Sequence, residues 1–505
     1  MHRTRTRPTG RSLSAFGALA AVAAIVFTAC GTAAVSPPPS AAPTQAAASV
    51  TPPPAVTPAP INADQPGPNG GVVVRWFVGL GAGGQPQQFA AEQAFVDAFN
   101  NSDAAKNKVY ISLEIYNNNV AANILKTQIA AGNAPDIIGP VGVEGLNLFR
   151  DQLLDLKPLI EKHNFDMSKF DPALRDFFNL GVNGATVGVP FATYPSYLWY
   201  NTKLFKEANL PLPPTKVGDK YQGKDWDMAA VRDLAMKLTV DKNGNDATSA
   251  SFDANNIVQW GFDMQYADNS PLAESTLFGA GSFVGADGKT AQIPDSMRVA
   301  EKWFNDGVWK DHFIPNTSQI NSDLLGKGNE FESGNLAMDE THSWYTCCVN
   351  PAPPAKPIVT DFGWAVAPSY NGKITAKLHA DTFSLLKSTR HPDEAFDALA
   401  AFAGSGDLLA AYGAFPADPS LQQAFFDTVD KQYPSVKLNW DVPKAMLAFP
   451  DVPNHQAWVP DYAKSKAAWQ KFQNSYRTAA GVDIDSALDQ LKTTLQGIFD
   501  ASNGS

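Results

Sequence analysis

Residues 71–84 read GVVVRWFVGLGAGG, an apolar run that leads into a glycine-rich turn. The run Val72–Val78 is rich in β-branched and aromatic residues, which predicts a buried strand. The pattern then continues as helix, strand, helix and strand, at residues 89–99, 110–115, 120–132 and 136–139. Strands joined by helices predict a parallel sheet covered on both faces. Ligands of such sheets lie beyond the carboxyl ends of the strands, here at the loops after Val78 and Ile138.

The rest of the chain alternates in the same way. Apolar periodicity predicts helices at 226–238, 295–306, 393–402 and 484–499, and strands at 197–200, 257–264 and 362–366. Residues 71–505 are too many for a single hydrophobic core, which stops growing at roughly 250–300 residues. We therefore expect two lobes.

The N-terminus has the pattern of an export signal. Four arginines precede an apolar run, Leu13–Ala29, that ends at Cys30. The pattern resembles a bacterial lipoprotein signal with residues 1–29 removed and Cys30 lipidated; an uncleaved membrane anchor is the alternative. Residues 30–70 are rich in Pro, Ala and Thr, which predicts an extended tether, or a glycosylated stalk. We expect a lipid anchor at the extracytoplasmic face of the cell membrane.

Composition excludes several classes of protein. The formal net charge is −11, and an acidic surface argues against binding to nucleic acid, whose phosphates require basic side chains. Three cysteines in 505 residues exclude a scaffold built from disulfides.

An oxidoreductase is the first alternative function. Gly79, Gly81 and Gly84 match G-x-G-x-x-G after a strand and before a helix, the setting of a dinucleotide-binding turn. The acid that should bind the ribose would be Glu114, but it lies inside the second strand. Glycines also allow backbone to approach any ligand closely. Because other catalytic motifs and complete metal motifs are lacking in the sequence, we expect no enzyme activity, no cofactor and no metal.

Five segments in order resemble a known family. They include GNAPDII at 132–138 and VGVPFATYPSYLWYNTKLFKEANLPLPPT at 187–215, and the others are residues 153–160, 330–344 and 411–417. The chain resembles the extracellular solute-binding proteins of carbohydrate ABC importers, of the maltose- and oligosaccharide-binding type (solute-binding family 1). The resemblance covers residues 71–505.

The resemblance implies an α/β, two-lobed periplasmic-binding-protein fold in which each lobe is a mainly parallel sheet with flanking helices. The ligand would lie in the cleft between the lobes, which close on it by hinge bending. Lobe one would comprise 71–193 and 368–411, and lobe two 197–367 and 414–505. The implied crossings are near Tyr194–Tyr197, Pro368 and Gly413–Pro416. The partners would be a small carbohydrate and the permease subunits, with the chain itself a monomer.

Sugars are held by aromatic rings on their C–H faces and by polar groups on their hydroxyls. The resemblance places Trp344 at a cleft tryptophan position and Tyr194 where some relatives carry a ligand-binding acid. Further candidates lie in segments near the implied cleft: Gly81, Gln85, Glu144, Tyr197, His342, His379, Asp381, His455 and Trp458. Glu144 has a second interpretation as an acid at a helix N-terminus. The histidines could equally be ordinary core or surface residues.

Two questions stay open from sequence. Cys347 and Cys348 are adjacent in an oxidising compartment, so they could form a vicinal disulfide or remain two free thiols. The ligand of such a fold could also be a polyol, a polyol phosphate or an oligopeptide. Cleft segments without paired basic residues disfavour a phosphate.

Overall fold

The structure is a computed structural model that describes residues 65–170, 174–175, 185–265, 270–326, 328, 330–347, 349 and 356–503. The predicted signal peptide, Cys30 and most of the predicted tether lie outside these residues, as do Cys348 and the side chain of Cys347. The vicinal disulfide therefore stays a prediction. Within the described ranges, no helix combines the length and apolar character that a membrane span requires.

The strands of the described residues form two larger sheets and two small two-stranded sheets. They are β1 Val72–Val78, β2 Val109–Ile115, β3 Ile137–Val141, β4 Val189–Pro195, β5 Tyr197–Asn201, β6 Val240–Asp241, β7 Ile257–Gln259, β8 Asp263–Met264, β9 Met338–Thr341, β10 Phe362–Ala365, β11 Ser369–Tyr370, β12 Lys373–Ile374 and β13 Leu378–Leu385. The strand predicted at 257–264 is divided in two, because β7 pairs with β6 whereas β8 pairs with β9 in the second large sheet.

Helices flank both larger sheets. In the described residues they are α1 Phe89–Asn100, α2 Asn118–Ala130, α3 Val143–Leu148, α4 Lys157–Lys162, α5 Thr202–Glu207, α6 Met228–Leu238, α7 Pro271–Thr276, α8 Asp295–Trp309, α9 Thr317–Ile320, α10 Pro392–Ala403, α11 Gly406–Ala411, α12 Gln422–Gln432, α13 Asp441–Met446, α14 Tyr462–Thr478 and α15 Ile484–Asn503. Several begin at polar caps; Asn117 accepts from Asn119 N, and Asp227 from Ala230 N. The predicted long helices are confirmed.

Lobe one is built on a five-stranded sheet of order β2-β1-β3-β13-β4. The first three strands are parallel, as predicted, but β13 is antiparallel to both β3 and β4. In lobe two, the sheet order is β10-β5-β9-β8, and β5 is antiparallel to both of its neighbours. The sheets are therefore mixed rather than mainly parallel. β13 and β5 both start at the junction between the lobes, so they run opposite to neighbours that end there.

Two separate hydrophobic cores define the lobes. One surrounds the first sheet and includes Trp76, Phe383 and Phe402. The other surrounds the second sheet and includes Trp199 and Trp364. This confirms the mixed α/β architecture expected from the sequence.

Three segments of chain pass between the two cores. The first runs through Ser196, whose N–H donates to the carbonyl of Lys377 (2.8 Å) and whose Oγ accepts from Lys377 N (2.9 Å). The second therefore passes at Lys377, later than the expected Pro368, because the β11–β12 hairpin packs on the second core. In the third, Phe415 O accepts from Thr193 N (2.8 Å). Hydrogen bonds thus join all three crossings.

A buried ion pair anchors the second crossing. The ammonium of Lys377 contacts the carboxylate of Glu340 on β9, and both side chains are almost fully buried. A buried charge requires a close partner, because removing that partner leaves an uncompensated charge in the interior. This pair fixes the second crossing against the sheet of lobe two.

Candidate functional site

The loops after β1 and β3 meet at one carboxylate. Asp381 on β13 accepts from the N–H of Ala82 at 3.3 Å, and its other oxygen lies beside Gly142. Gly81 has no room for a side chain, since a Cβ would lie 2.7 Å from the carbonyl oxygen of Pro140. Burial raises the pKa of Asp381 to about 6, against the lowering effects of Ala82 N–H, His379 and Tyr194. A nearly buried carboxyl group thus lies at the predicted ligand edge of the sheet.

Tyr194 lies on β4 beside this carboxylate, opposite His379 on β13. Its side chain is buried, and burial together with the charge of Asp381 holds the pKa of the phenol well above its usual value. The phenol is therefore a neutral hydrogen-bonding group at the first crossing.

Lobe two contributes an aromatic pair. His342 and Trp344 follow β9, and their rings lie 4.1 Å apart at an interplanar angle of 35°. Trp344 also contacts the rings of Tyr194 (5.2 Å) and His379 (4.8 Å) from lobe one. Because Trp344 packs against both cores, it lies at the junction of the lobes. We call Tyr194, His342, Trp344, His379 and Asp381 the cleft cluster.

A hydrogen-bonded chain reaches the cleft cluster from the loop after α13. Asp451 Oδ2 is 2.7 Å from His455 Nδ1, and His455 Nε2 is 3.0 Å from His379 Nε2. Asp451 also accepts from Leu378 N (2.8 Å), which ties this loop to the second crossing. Asp451 and His455 are both buried.

Two predicted candidates lie instead in contacts between the lobes. Glu144 on α3 forms an ion pair with Lys466 on α14, with about a third of each side chain exposed. Trp458 lies under the guanidinium of Arg150, 5.0 Å from the ring centroid. Between them, Asn147 donates to the carbonyl of Gln456 (2.8 Å). We call these three contacts the closure strip.

The remaining two candidates lie elsewhere. Tyr197 is fully buried in the core of lobe two, with its ring against Trp199 and Trp364. Gln85 is exposed at the far end of the glycine-rich turn, 3.4 Å from Asn118 Oδ1. The structure thus gathers five of the predicted residues and places these two apart from them.

Three residues of the site region escaped prediction. Gln265 follows β8, and its side-chain oxygen accepts from the indole N–H of Trp344 at 3.3 Å. Asp451 and Asn454 hold the loop that carries His455. Asp451 and His455 lie in a loop rather than a helix, so no periodic pattern in the sequence signalled their contact.

The glycine-rich turn is lined by acids. Asp381 lies against Gly81, and Glu92 lies under Gly83, where it accepts from the hydroxyl of Tyr412 at 2.9 Å. Glu114, the acid that a dinucleotide-binding site would need for the ribose, pairs with Arg75. A phosphate would face the Asp381 carboxylate here, so this geometry favours a neutral ligand over a dinucleotide or a polyol phosphate.

Two α/β lobes, three crossing segments and a polar, aromatic cluster at their junction define a two-lobed solute-binding protein. Residues 82–407 match the sequence model of the family described as Bacterial extracellular solute-binding protein. The match covers more than half of the chain, and the chain belongs to this family.

Solved structures share the fold. UspC from M. tuberculosis is 20% identical, with a TM-score of 0.60 over 85% of this chain and 100% of that one. A solute-binding protein from Thermotoga lettingae, bound with α-D-tagatose, is 16% identical (TM-score 0.62; 85% and 99% covered). The cyclic α-maltosyl-1,6-maltose binding protein of Arthrobacter globiformis is 18% identical (TM-score 0.60; 85% and 100% covered). No curated protein matches the chain.

Proposed function

We propose that this protein captures a sugar or oligosaccharide in the cleft and delivers it to the permease of an ABC importer, without chemical change to the ligand. The cleft cluster carries the proposal, because it combines aromatic rings with groups that hydrogen-bond to hydroxyls. Solved structures of the same fold are described with α-D-tagatose and maltotriose bound, which supports a carbohydrate. The ligand selects the closed arrangement of the lobes. The measured affinity is the binding free energy that remains after the free-energy cost of closure.

In this proposal each residue of the cleft cluster has a role. Trp344 stacks on the face of a sugar ring. Asp381 accepts hydrogen bonds from hydroxyls, as a planar group with two oxygens. Tyr194, His342 and His379 complete the polar edge, while Gly81 lets the backbone approach the ligand. A lipid on Cys30 would hold the monomeric protein at the outer face of the membrane, on a tether formed by residues 30–70.

A thermal-shift screen against mono- and oligosaccharides tests the function. A sugar at 100 times its dissociation constant should stabilise the protein by about 2.7 kcal/mol. Sorbitol, sorbitol 6-phosphate, a peptide mixture and a dinucleotide form the counter-panel. Stabilisation by members of the counter-panel alone, or turnover of a sugar, would refute the proposal.

Replacing Trp344 tests the site. We expect Trp344→Ala to weaken sugar binding at least tenfold, since a stacked aromatic contributes about 1 kcal/mol beyond the area it buries. Trp309→Phe is the matched control, because its indole donates to Tyr476 O within lobe two. Isothermal titration of both variants measures the effect. Equal sugar affinities in the two variants would show that Trp344 does not contact the sugar.

A further inference from the structure

Gln265 is a buried amide residue beside the cleft cluster. It follows β8, which runs parallel to β9, the strand that ends at Thr341. Its backbone N–H continues the pairing of these strands and donates to Glu340 O at 3.2 Å. The carboxyl ends of parallel strands are where α/β sheets bind their ligands. Gln265 therefore lies at the ligand edge of the second sheet, as the loops after β1 and β3 do in the first.

The neighbours of Gln265 determine which way its amide faces. An indole N–H can only donate, so the amide atom 3.3 Å from Trp344 Nε1 must be the oxygen, Oε1. The hydroxyl oxygen of Thr341 lies 3.5 Å from the same atom. The amide nitrogen, Nε2, has no hydrogen-bond partner among the described residues and is not enclosed by them. Its two N–H groups are thus available to a ligand.

A hydrogen-bond donor at this position complements the carboxylate of lobe one. Asp381, when ionised, only accepts hydrogen bonds, whereas each hydroxyl of a sugar both donates and accepts. A sugar held by acceptors alone would keep hydroxyl oxygens without donors in the closed cleft, which weakens binding. The N–H groups of Gln265 supply donors from lobe two, next to the ring of Trp344.

We propose that Gln265 is a sugar-binding residue whose Nε2 donates to the ligand while its Oε1 holds the indole of Trp344 in the stacking position. The inference rests on the proposed function, because it assumes that Trp344 faces a sugar ring. The hydrogen bond to Trp344 fixes the plane of the amide before the ligand arrives, so little side-chain freedom is lost on binding. Gln265 thereby links the aromatic part of the site to its polar part.

A double-mutant cycle separates the direct contact from the effect on Trp344. The variants are Gln265→Met, which keeps the length of the side chain without the amide, Trp344→Phe, which keeps a ring without the N–H, and their combination. Isothermal titration measures the affinity for maltotriose, or for whichever sugar of the screen binds most tightly.

Gln265→Met should raise the dissociation constant about tenfold in the parent protein. In the Trp344→Phe background it should still raise the constant several-fold, because the contact from Nε2 is lost there as well. An unchanged dissociation constant in either background would overturn the proposal. Thermal unfolding identifies a variant that has lost its fold, in which case Gln265→Leu takes the place of Gln265→Met.

A measurement on the sugar-free protein tests the hydrogen bond to Trp344. The indole ¹⁵N–¹H resonance of Trp344 is assigned by its absence in Trp344→Phe. Its proton shift should move upfield in Gln265→Met but not in Gln265→Glu, whose carboxylate keeps an acceptor. Gln490→Met, at an exposed position of α15, is the control and should change neither the resonance nor the affinity.

These measurements keep the two proposals distinguishable. A Trp344 resonance that does not move in Gln265→Met would refute the role of Gln265, whatever the sugar screen shows. Failure of the sugar screen alone would instead refute the proposed function.

Discussion

Glu92 shows how a single buried acid couples stability to pH. It lies beneath the glycine-rich turn, and burial raises its pKa from 4.5 to about 8 despite the hydrogen bond from Tyr412. Because the pKa of Glu92 is raised in the folded state, its contribution to stability is complete below pH 4.5. This contribution is lost as the pH rises towards 8, because the Glu92 carboxyl ionises at a lower pH in the unfolded chain than in the folded one. At neutral pH the carboxyl of Glu92 is therefore mostly protonated and costs the fold free energy.

We expect Glu92→Gln to remove this dependence. The amide keeps an acceptor for Tyr412 but has no proton to lose, so the variant should match the parent near pH 4.5 and exceed it in free energy of unfolding at pH 8, by of order 3 kcal/mol. Urea unfolding at both pH values measures the difference. Glu161→Gln, at an exposed position of α4, is the control and should change little. A constant difference across the pH range would contradict the explanation.

At the scale of elements, local pattern predicted much of the fold. The strand β1, the helix α15 and the loops at the carboxyl ends of β1 and β3 were all foreseen from periodicity and glycine position. The directions of β5 and β13 were not, because they depend on which lobe the chain has just left. The division of the strand predicted at 257–264 likewise depends on pairing, because β8 joins β9, a strand distant in sequence.

The candidate site likewise contains residues that the sequence predicted and residues that it did not. Trp344 and Tyr194 were reached through segments that resemble a family, while Asp381 and His379 were reached because they lie in segments near the implied cleft. Gln265 and Asp451 were missed, because their relation to the cleft arises only when β8 and the loop after α13 pack beside the crossings. The closure strip was also out of reach, since it joins residues more than 300 positions apart.

The third crossing element supports the segment that carries Trp344. Gly413 has a φ of +61°, and a Cβ there would lie 2.8 Å from Thr346 Oγ1 and 3.1 Å from Trp344 O. We expect Gly413→Ala to strain the backbone and to displace the Trp344 segment. Both protein stability and sugar affinity should therefore fall, the latter several-fold.

Gly481 provides a matched control for this prediction. Its φ is +82°, but a Cβ at this position would meet nothing within 4 Å. Gly481→Ala should therefore lose only the backbone contribution, about 1 kcal/mol, with unchanged affinity. Thermal unfolding and isothermal titration of both variants separate the two effects. Equal losses in stability and affinity would show that Gly413 does not support the site.

At the scale of the whole molecule, the closure strip is a second set of contacts between the lobes, separate from those of the cleft cluster. Its ion pair, Glu144 to Lys466, its amide hydrogen bond and its cation–π contact all run from residues 144–150 of lobe one to residues 456–466 of lobe two. Contacts made between lobes stabilise whichever arrangement contains them. They can therefore set how readily the protein closes without touching the ligand.

Lys466→Met tests this role, and the expected effect is modest. A partly exposed ion pair contributes at most about 1 kcal/mol, so the sugar dissociation constant should rise by no more than about fivefold, and less at high salt. Lys464→Met is the matched control on the same helix, because Lys464 pairs with Asp461 within lobe two. If Glu144 acts through Lys466, Glu144→Gln should add nothing to Lys466→Met. If Glu144 instead binds the sugar, the Glu144→Gln substitution should weaken sugar binding whether or not Lys466 is replaced. Isothermal titration of the double-mutant cycle distinguishes these outcomes.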